Sequence, residues 1–318
     1  MMIRLLLVLL VLVPALSACG GDDKDSDKTT ITISGAFALY PLVVQWTEEY
    51  QKLHSDVRFD VSAGGAGKGM SDVLAGAVDV AMVSREVREE EAGKGALPFA
   101  VAKDAVVGTI SADNPALEQI LATGITPEMG AKIWLTGEVK TWGELLGTDD
   151  TSEIHVYTRA DAAGAAEVWA IYMGGKAQED LKGTAVQGDP GLAEAVRSDA
   201  LGIGYNNIGF AYDLSSGQPV DGLRVIPIDL NGDGEISDDE NFYADKDSIT
   251  AAIVAGLYPS PPARALFLVT KGQPNEAVSD FLRWTLTDGQ QYISAAGYVQ
   301  LPEEVLQASL AAVGEKQP

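Results

Sequence analysis

Short apolar runs alternate with stretches of helical spacing along most of this chain. Residues 31–34 and 57–62 read as parallel strands, and each breaks into a turn of small residues followed by a helix-period stretch. Pro41 suits the first turn of the first of these helices, where a missing N–H costs nothing. Gly64, Gly65, Gly67 and Gly69 open the second. A third run, 78–83, ends the unit and carries Asp79 near its start. Two helix starts at the carboxyl ends of neighbouring strands expose backbone N–H groups, the geometry of an anion-binding crevice. An ordinary βαβ unit with glycine-rich loops fits the same stretch, and the pattern alone leaves both readings open.

Further along, VREEEAGK predicts a charged helix after Arg85, and residues 104–110 predict a strand that leaves the first lobe. Residues 114–147 are mainly helical in spacing, with Trp134 and Trp142 expected to cover a core edge. Strands are predicted at 154–158, 202–206 and 223–228, and a helix at 161–173. The run 258–270 carries three prolines and then a strand, which is expected to return the chain to the first lobe. Helices at 277–285 and 290–296 close the chain. The expected architecture is α/β and two-lobed, with 108–260 (lobe II) inserted into 31–107 plus 261–318 (lobe I). Ligands in such folds sit between the lobes, at strand carboxyl ends.

Composition adds an address and removes several chemistries. Residues 1–18 carry one charged side chain, Arg4, then apolar and small residues, the pattern of a secretory signal peptide. They run into Leu16-Ser17-Ala18-Cys19-Gly20, which resembles the bacterial lipoprotein cleavage box and implies lipid attachment at Cys19. Residues 19–30 form a polar, acidic tether with nothing to bury. Cys19 is the single cysteine, so an intrachain disulfide and a multi-cysteine zinc site are excluded. The formal charge of −24 repels nucleic acid and anionic lipid surfaces. Any anion site must therefore build its own positive potential from single arginines and backbone amides. Only His54 and His155 are available as histidines, and neither has a partner nucleophile, so no hydrolase machinery is visible.

Across residues 31–302 a series of landmarks follows one order. They are Gly35…Pro41 with Trp46 and Tyr50, the Gly64–Gly69 loop, Val78-Asp79 before Ser84-Arg85, and Asp104-Ala105-Val106-Val107. Then come Thr141-Trp142, Arg159-Ala160-Asp161, Ile203-Gly204-Tyr205, and Gly289-Gln290 ahead of Gly297-Tyr298. In this order the chain resembles the substrate-binding lipoproteins of bacterial phosphate ABC transporters, the PstS type. The resemblance implies a type II periplasmic-binding-protein fold that closes on its anion like a clamp.

The resemblance also implies a set of contacts. Phe37 and Ala38 offer backbone N–H groups, Asp79 accepts a proton-bearing phosphate oxygen, and Arg159 forks onto two phosphate oxygens, braced by Asp161. Ala163-Gly164-Ala165 stands where the family has Ser-Gly-Thr, and Gly65 where it often has serine, so three family hydroxyls are missing here. Each lost neutral donor costs about 1 kcal/mol if nothing replaces it. Ser34, Ser62 and Ser84 are the nearby candidates to replace them. Read without the resemblance, Arg159 and Asp161 are more simply a surface ion pair.

A second motif stands apart. Residues 229–240 (DLNGDGEISDDE) match the calcium-loop pattern, with Asp229, Asn231 and Asp233 as oxygen ligands and Gly234 at the turn. Glu235 would give its carbonyl and Glu240 a bidentate carboxylate, with Ile236 packing inward and Ser237 acting through water. The preceding strand-like run points to a structural Ca2+ site and not a sensor; an acidic surface turn is the alternative. The leader and cysteine, with what the resemblance implies, lead to the expectation of a monomeric, lipid-anchored, extracytoplasmic solute-binding protein that passes an oxyanion, phosphate by resemblance, to an ABC permease at a bacterial membrane. It catalyses no reaction of its own. The alternatives are the same fold serving another oxyanion or phosphate sensing, a phosphatase-like enzyme, and a calcium-stabilised interaction protein.

Overall fold

The computed structural model describes residues 28–314, so the predicted signal peptide, Cys19 and most of the tether lie outside it. Nine strands are found among the described residues: β1 (Thr29–Gly35), β2 (Val57–Ala63), β3 (Val80–Val83), β4 (Ala96–Ser111), β5 (His155–Arg159), β6 (Thr184–Val186), β7 (Gly202–Asn207), β8 (Leu223–Ile226) and β9 (Ala263–Lys271). They run in the order β2-β1-β3-β9-β4-β7-β5-β6, with β8 also on β4. β1 lies parallel between β2 and β3, whereas β9 is antiparallel to both β3 and β4.

The two lobes share β4. Its first part pairs with β9 as far as Ala105↔Ala263, and from Val106↔Asn207 onward it pairs with β7 and β8. A strand enclosed on both faces reads as a nearly continuous apolar run, and ALPFAVAKDAVVGTIS is one. It begins eight residues ahead of the strand expected at 104–110. Lys103 and Asp104 do not interrupt it, because the Lys103 backbone bonds Val299 on both sides and Asp104 stands opposite Arg264. One apolar core draws on residues 31–102 and 266–313, including Trp46, Phe99 and Phe281. Another draws on residues 106–226, including Trp134, Trp142 and Tyr205. Both Trp134 and Trp142 are fully buried, and so are core and not edge.

The helix expected after β1 is α1 (Tyr40–Leu53), with Pro41 in its first turn. Its buried stripe, Leu42, Val43, Trp46 and Tyr50, follows helical spacing. Trp46 Nε1 donates to Gly289 O at 2.8 Å, tying the first helix to the returning end of the chain. α2 (Ala66–Ala75) follows β2. The charged helix after Arg85 shrinks to Glu89–Ala92, since Gly93 and Gly95 follow and Glu91 is drawn back onto Arg85. The helix expected at 290–296 is a 3-10 turn, Asp288–Tyr292. Helices at Gly188–Arg197, Lys246–Ala255 and Glu303–Val313 were not anticipated.

Candidate functional site

The site forms where strands from both lobes end. β1 leads through Ala36, Phe37 and Ala38 into α1, and β3 ends one residue before Ser84. From the other lobe, β5 ends at Arg159, and the helix Gly164–Tyr172 starts against them. With Gly65, Ala66, Asp189 and Asn207, these residues line a narrow cavity, pinched tight as the chain is folded here. Its walls offer mostly backbone. The first-turn N–H groups of the Gly164–Tyr172 helix have no intrahelical acceptor, as at any helix start. The N–H groups of Phe37 and Ala38 likewise make no bond within the described residues, because the turn bonds there run from Leu39 and Tyr40 back to Ala36 and Phe37.

Arg159 supplies the cationic side chain in the cavity wall. Asp161 takes its Nε at 2.9 Å and Nη2 at 2.6 Å, so the bracing carboxylate sits as expected. A second carboxylate, Asp189, takes Nη1 at 2.5 Å. Burial opposes the charge on this guanidinium, but Asp189 and Asp161 more than offset that and hold it above its ordinary pKa. Five N–H donors facing three bonds leave two free. The ring of Phe37 lies 5.4 Å from Cζ and fixes the guanidinium plane.

Gly65 is required where it stands. Its φ is +94°, and a Cβ there would meet Asp161 Oδ2 at 2.6 Å and Ala162 O at 2.9 Å. The serine that the resemblance suggests has no room in this arrangement, and the Gly65 N–H is spent on Gly35 O at 3.0 Å. Gly64 and Gly65 are therefore a turn device, while the next residue, Ala66, lines the cavity. Gly164 is packed so closely on Ser84 that any Cβ would run into the Ser84 backbone and hydroxyl oxygens. That contact joins the lobes, as do Gly67 N–H to Ala162 O at 2.9 Å and Glu167 to Arg88 at 2.6 Å. The structure is thus a closed form. Of the three candidate replacement hydroxyls, Ser34 is committed to Asp72 at 2.7 Å and Ser62 is exposed. Ser84 alone reaches the cavity.

Asp79 does not reach it. It precedes β3, whereas the cavity lies past the other end of that strand at Ser84. At ~3.3 Å per residue, five residues span roughly 16 Å. Asp79 Oδ2 instead accepts from Thr32 N–H at 2.8 Å and Thr32 Oγ1 at 2.7 Å, pinning the start of β3 to β1. Its expected role as acceptor for a ligand proton is therefore corrected: its carboxylate is an internal strap between strands. Phe37, Ala38, Gly65, Arg159, Ala163, Gly164 and Ala165 do come together, with Asp161 behind them. Sequence reading missed Asp189 and Asn207. Asp189 sits in the first turn of an unanticipated helix, and Asn207 at the end of β7.

Behind the cavity lies a buried polar chain. Asn207 N–H donates to Asp189 Oδ1 at 3.2 Å, and Asn207 Oδ1 accepts from Arg264. Arg264 lies 3.8 Å from Asp104 at the point where β4 changes lobes. Burial pushes Asp104 up to about 6 and lowers Arg264 below the ordinary arginine range.

The 229–240 loop is a succession of tight turns. Asp229 accepts the N–H groups of Gly232 at 2.7 Å and Gly234 at 2.9 Å. Glu240 accepts from Leu230 N–H at 2.8 Å, and from Ser237 N–H at 3.1 Å and Oγ at 2.8 Å. The Ser237 hydroxyl is the largest of the influences that hold Glu240 below the usual carboxylate range. An all-oxygen set with this spacing suits calcium by type. As folded here, however, the carboxylates are turned onto backbone N–H groups. No three acidic, histidine or cysteine side chains converge among the described residues.

Comparison with known proteins fits this geometry. The PBP superfamily domain model matches residues 21–289, and the chain belongs to that family. The phosphate-binding protein PstS of Staphylococcus epidermidis is 25% identical over 309 residues, covering 93% of this chain and 87% of the relative. PstS of Methanocaldococcus jannaschii is 24% identical over 372 residues, covering 98% and 95%. Among solved structures, a substrate-binding protein from Clostridium perfringens with bound phosphate superposes with a TM-score of 0.69 at 20% identity, covering 86% of this chain and all of that one. An ABC-type phosphate transport receptor from Vibrio cholerae gives 0.61 at 21%, with the same coverage. At these identities the structural likeness speaks for the fold: a two-lobed periplasmic-binding-protein architecture.

Proposed function

We propose that this protein captures a tetrahedral oxyanion, phosphate first among them, in the cavity between its lobes and delivers it to an ABC permease. The observation that carries this reading is the cavity itself. A buried arginine with two spare N–H donors faces unspent backbone amides from both lobes. The names of the relatives support phosphate as the ligand. The protein binds without transforming, a reading supported by relatives named as phosphate-binding proteins; Ser84 gives the cavity wall a hydroxyl donor, and His54 and His155 are not part of that wall. Lobe I (31–107 with 261–318) and lobe II (108–260) act as the two jaws. Calorimetric titration of the chain lacking its leader with phosphate, arsenate, sulfate and molybdate tests the reading. Saturable phosphate binding with one site is expected, and no heat from any of the four rejects it. Turnover of a chromogenic phosphomonoester would favour the enzyme alternative instead.

Two further features belong to the same proposal. Cys19 carries a lipid that anchors the protein, as a monomer, outside the cytoplasm. Cys19→Ser should then lose both the lipid mass and the membrane fraction, and an unchanged fractionation would reject the anchor. Calcium binds the 229–240 loop through Asp229, Asn231, Asp233, the Glu235 carbonyl and Glu240, with Glu240 exchanging its amide donors for the ion. None of the helices among the described residues is long and apolar enough to cross a membrane.

A further inference from the structure

The cavity contains a carboxylate that an anion site should avoid. Asp189 is 1% exposed and lines the cavity. Its Oδ2 has one donor, Arg159 Nη1, and its Oδ1 has one, the Asn207 N–H. Each oxygen therefore keeps a lone pair, and so little exposure leaves almost no water to satisfy it. Asp161 differs. It does not line the cavity, and it takes three donors, two from Arg159 and the Gly188 N–H at 2.9 Å, where Asp189 takes two. Together these three side chains carry one positive and two negative charges. A ligand bearing only acceptor oxygens would meet uncompensated repulsion from Asp189 in a desolvated place.

An oxyanion with an O–H group removes that conflict by donating to the spare lone pair. The remaining oxygens then meet donors only. Asn207 also lines the cavity, and because Arg264 occupies its Oδ1, what it offers is its amide NH2. Ser84 adds a hydroxyl, and Arg159 its two spare N–H groups.

We propose that Asp189 is the specificity-determining residue of this site, accepting the hydrogen bond of a proton-bearing oxyanion, so that hydrogen phosphate or hydrogen arsenate is taken and sulfate refused. The assignment rests on the oxyanion-capture reading above and gives Asp189 the task that Asp79 is placed too far away to perform.

The test is titration of wild type and Asp189→Asn with phosphate and with sulfate at neutral pH and one salt concentration. Hydrogen phosphate keeps a P–OH under these conditions and sulfate has none. Wild type should prefer phosphate, and Asp189→Asn should lower the phosphate-to-sulfate affinity ratio by at least about tenfold, since a hydrogen bond to a charged group is lost for one ligand and a repulsion is removed for the other. If Asp189 only holds Arg159 in place, both anions weaken equally and the ratio stays, which overturns the proposal. Should Asp189→Asn fail to fold by circular dichroism, Asp189→Ser is the second variant. The wild-type ratio also decides by itself: sulfate bound as tightly as phosphate overturns the assignment while leaving oxyanion capture standing. Wild type binding neither anion overturns the capture reading and this assignment with it.

Discussion

The cleft and the 229–240 loop are built from the same two groups, backbone N–H and carboxylate, and put them to opposite use. In the loop, Asp229 and Glu240 have turned onto the amides around them, so the N–H groups are consumed. In the cleft, Asp161 and Asp189 are turned onto one guanidinium instead, which leaves the amides at the start of α1 and of the Gly164–Tyr172 helix unspent. Every buried polar group needs a partner, so whatever the protein leaves unpaired defines what may enter. The cleft leaves donors unspent beside one spare carboxylate acceptor, and so suits an anion that carries a proton of its own. The loop is rich in oxygens, and a cation must compete with amides to claim them.

The largest effect should come from removing the charge on which the cleft depends. Arg159→Ala is expected to weaken every oxyanion by roughly 2–4 kcal/mol, about 30- to 1,000-fold, because two carboxylates are then left facing the ligand. Calorimetry measures this directly, and wild-type affinity in the variant would detach anion binding from the cleft.

The loop side of the comparison should respond to calcium alone. Calcium at about a hundred times its Kd is expected to stabilise the folded chain by ~2.7 kcal/mol through mass action. Glu240→Gln should remove most of that gain and leave phosphate affinity unchanged. A thermal melt insensitive to both calcium and chelator would show that the amides win and the loop is an acidic turn.

The smallest effect on binding belongs to Asp79. Asp79→Ala should cost about 1–3 kcal/mol of stability, from the lost bonds to Thr32, while leaving phosphate affinity within twofold of wild type. A large loss of affinity in a stably folded variant would return Asp79 to the ligand and overturn its placement as a strap.

These contrasts also mark what could be read from the chain. The strand–turn–helix unit of β1, α1, β2 and α2 was legible because apolar period, Pro41 and the glycines agree with one another. Arg159 and Asp161 were legible as a pair two residues apart on a strand end. Asp79 misled because its role came from the resemblance alone, although it stands at the start of its strand and ligands gather at carboxyl ends. Ser84, five residues later, is the residue that arrives. Asp189 was invisible for a different reason: nothing in the GDPG segment marks a ligand contact, and only the packing of its helix against Arg159 and Asn207 gives the carboxylate a task. The three-proline stretch leads, as expected, into a strand that pairs with β3, yet Arg264, the second residue of that strand, gave no sign that it would stand opposite Asp104.

Anomalous diffraction from crystals grown with arsenate tests capture in the cleft most directly, because the arsenic atom locates the ligand without assumption. The expected result is one strong peak inside the cavity, with the arsenate oxygens in hydrogen-bond reach of Arg159, Ser84 and the Ala165 amide. A peak elsewhere on the molecule, or closed lobes around a cavity with no arsenic in it, would contradict it.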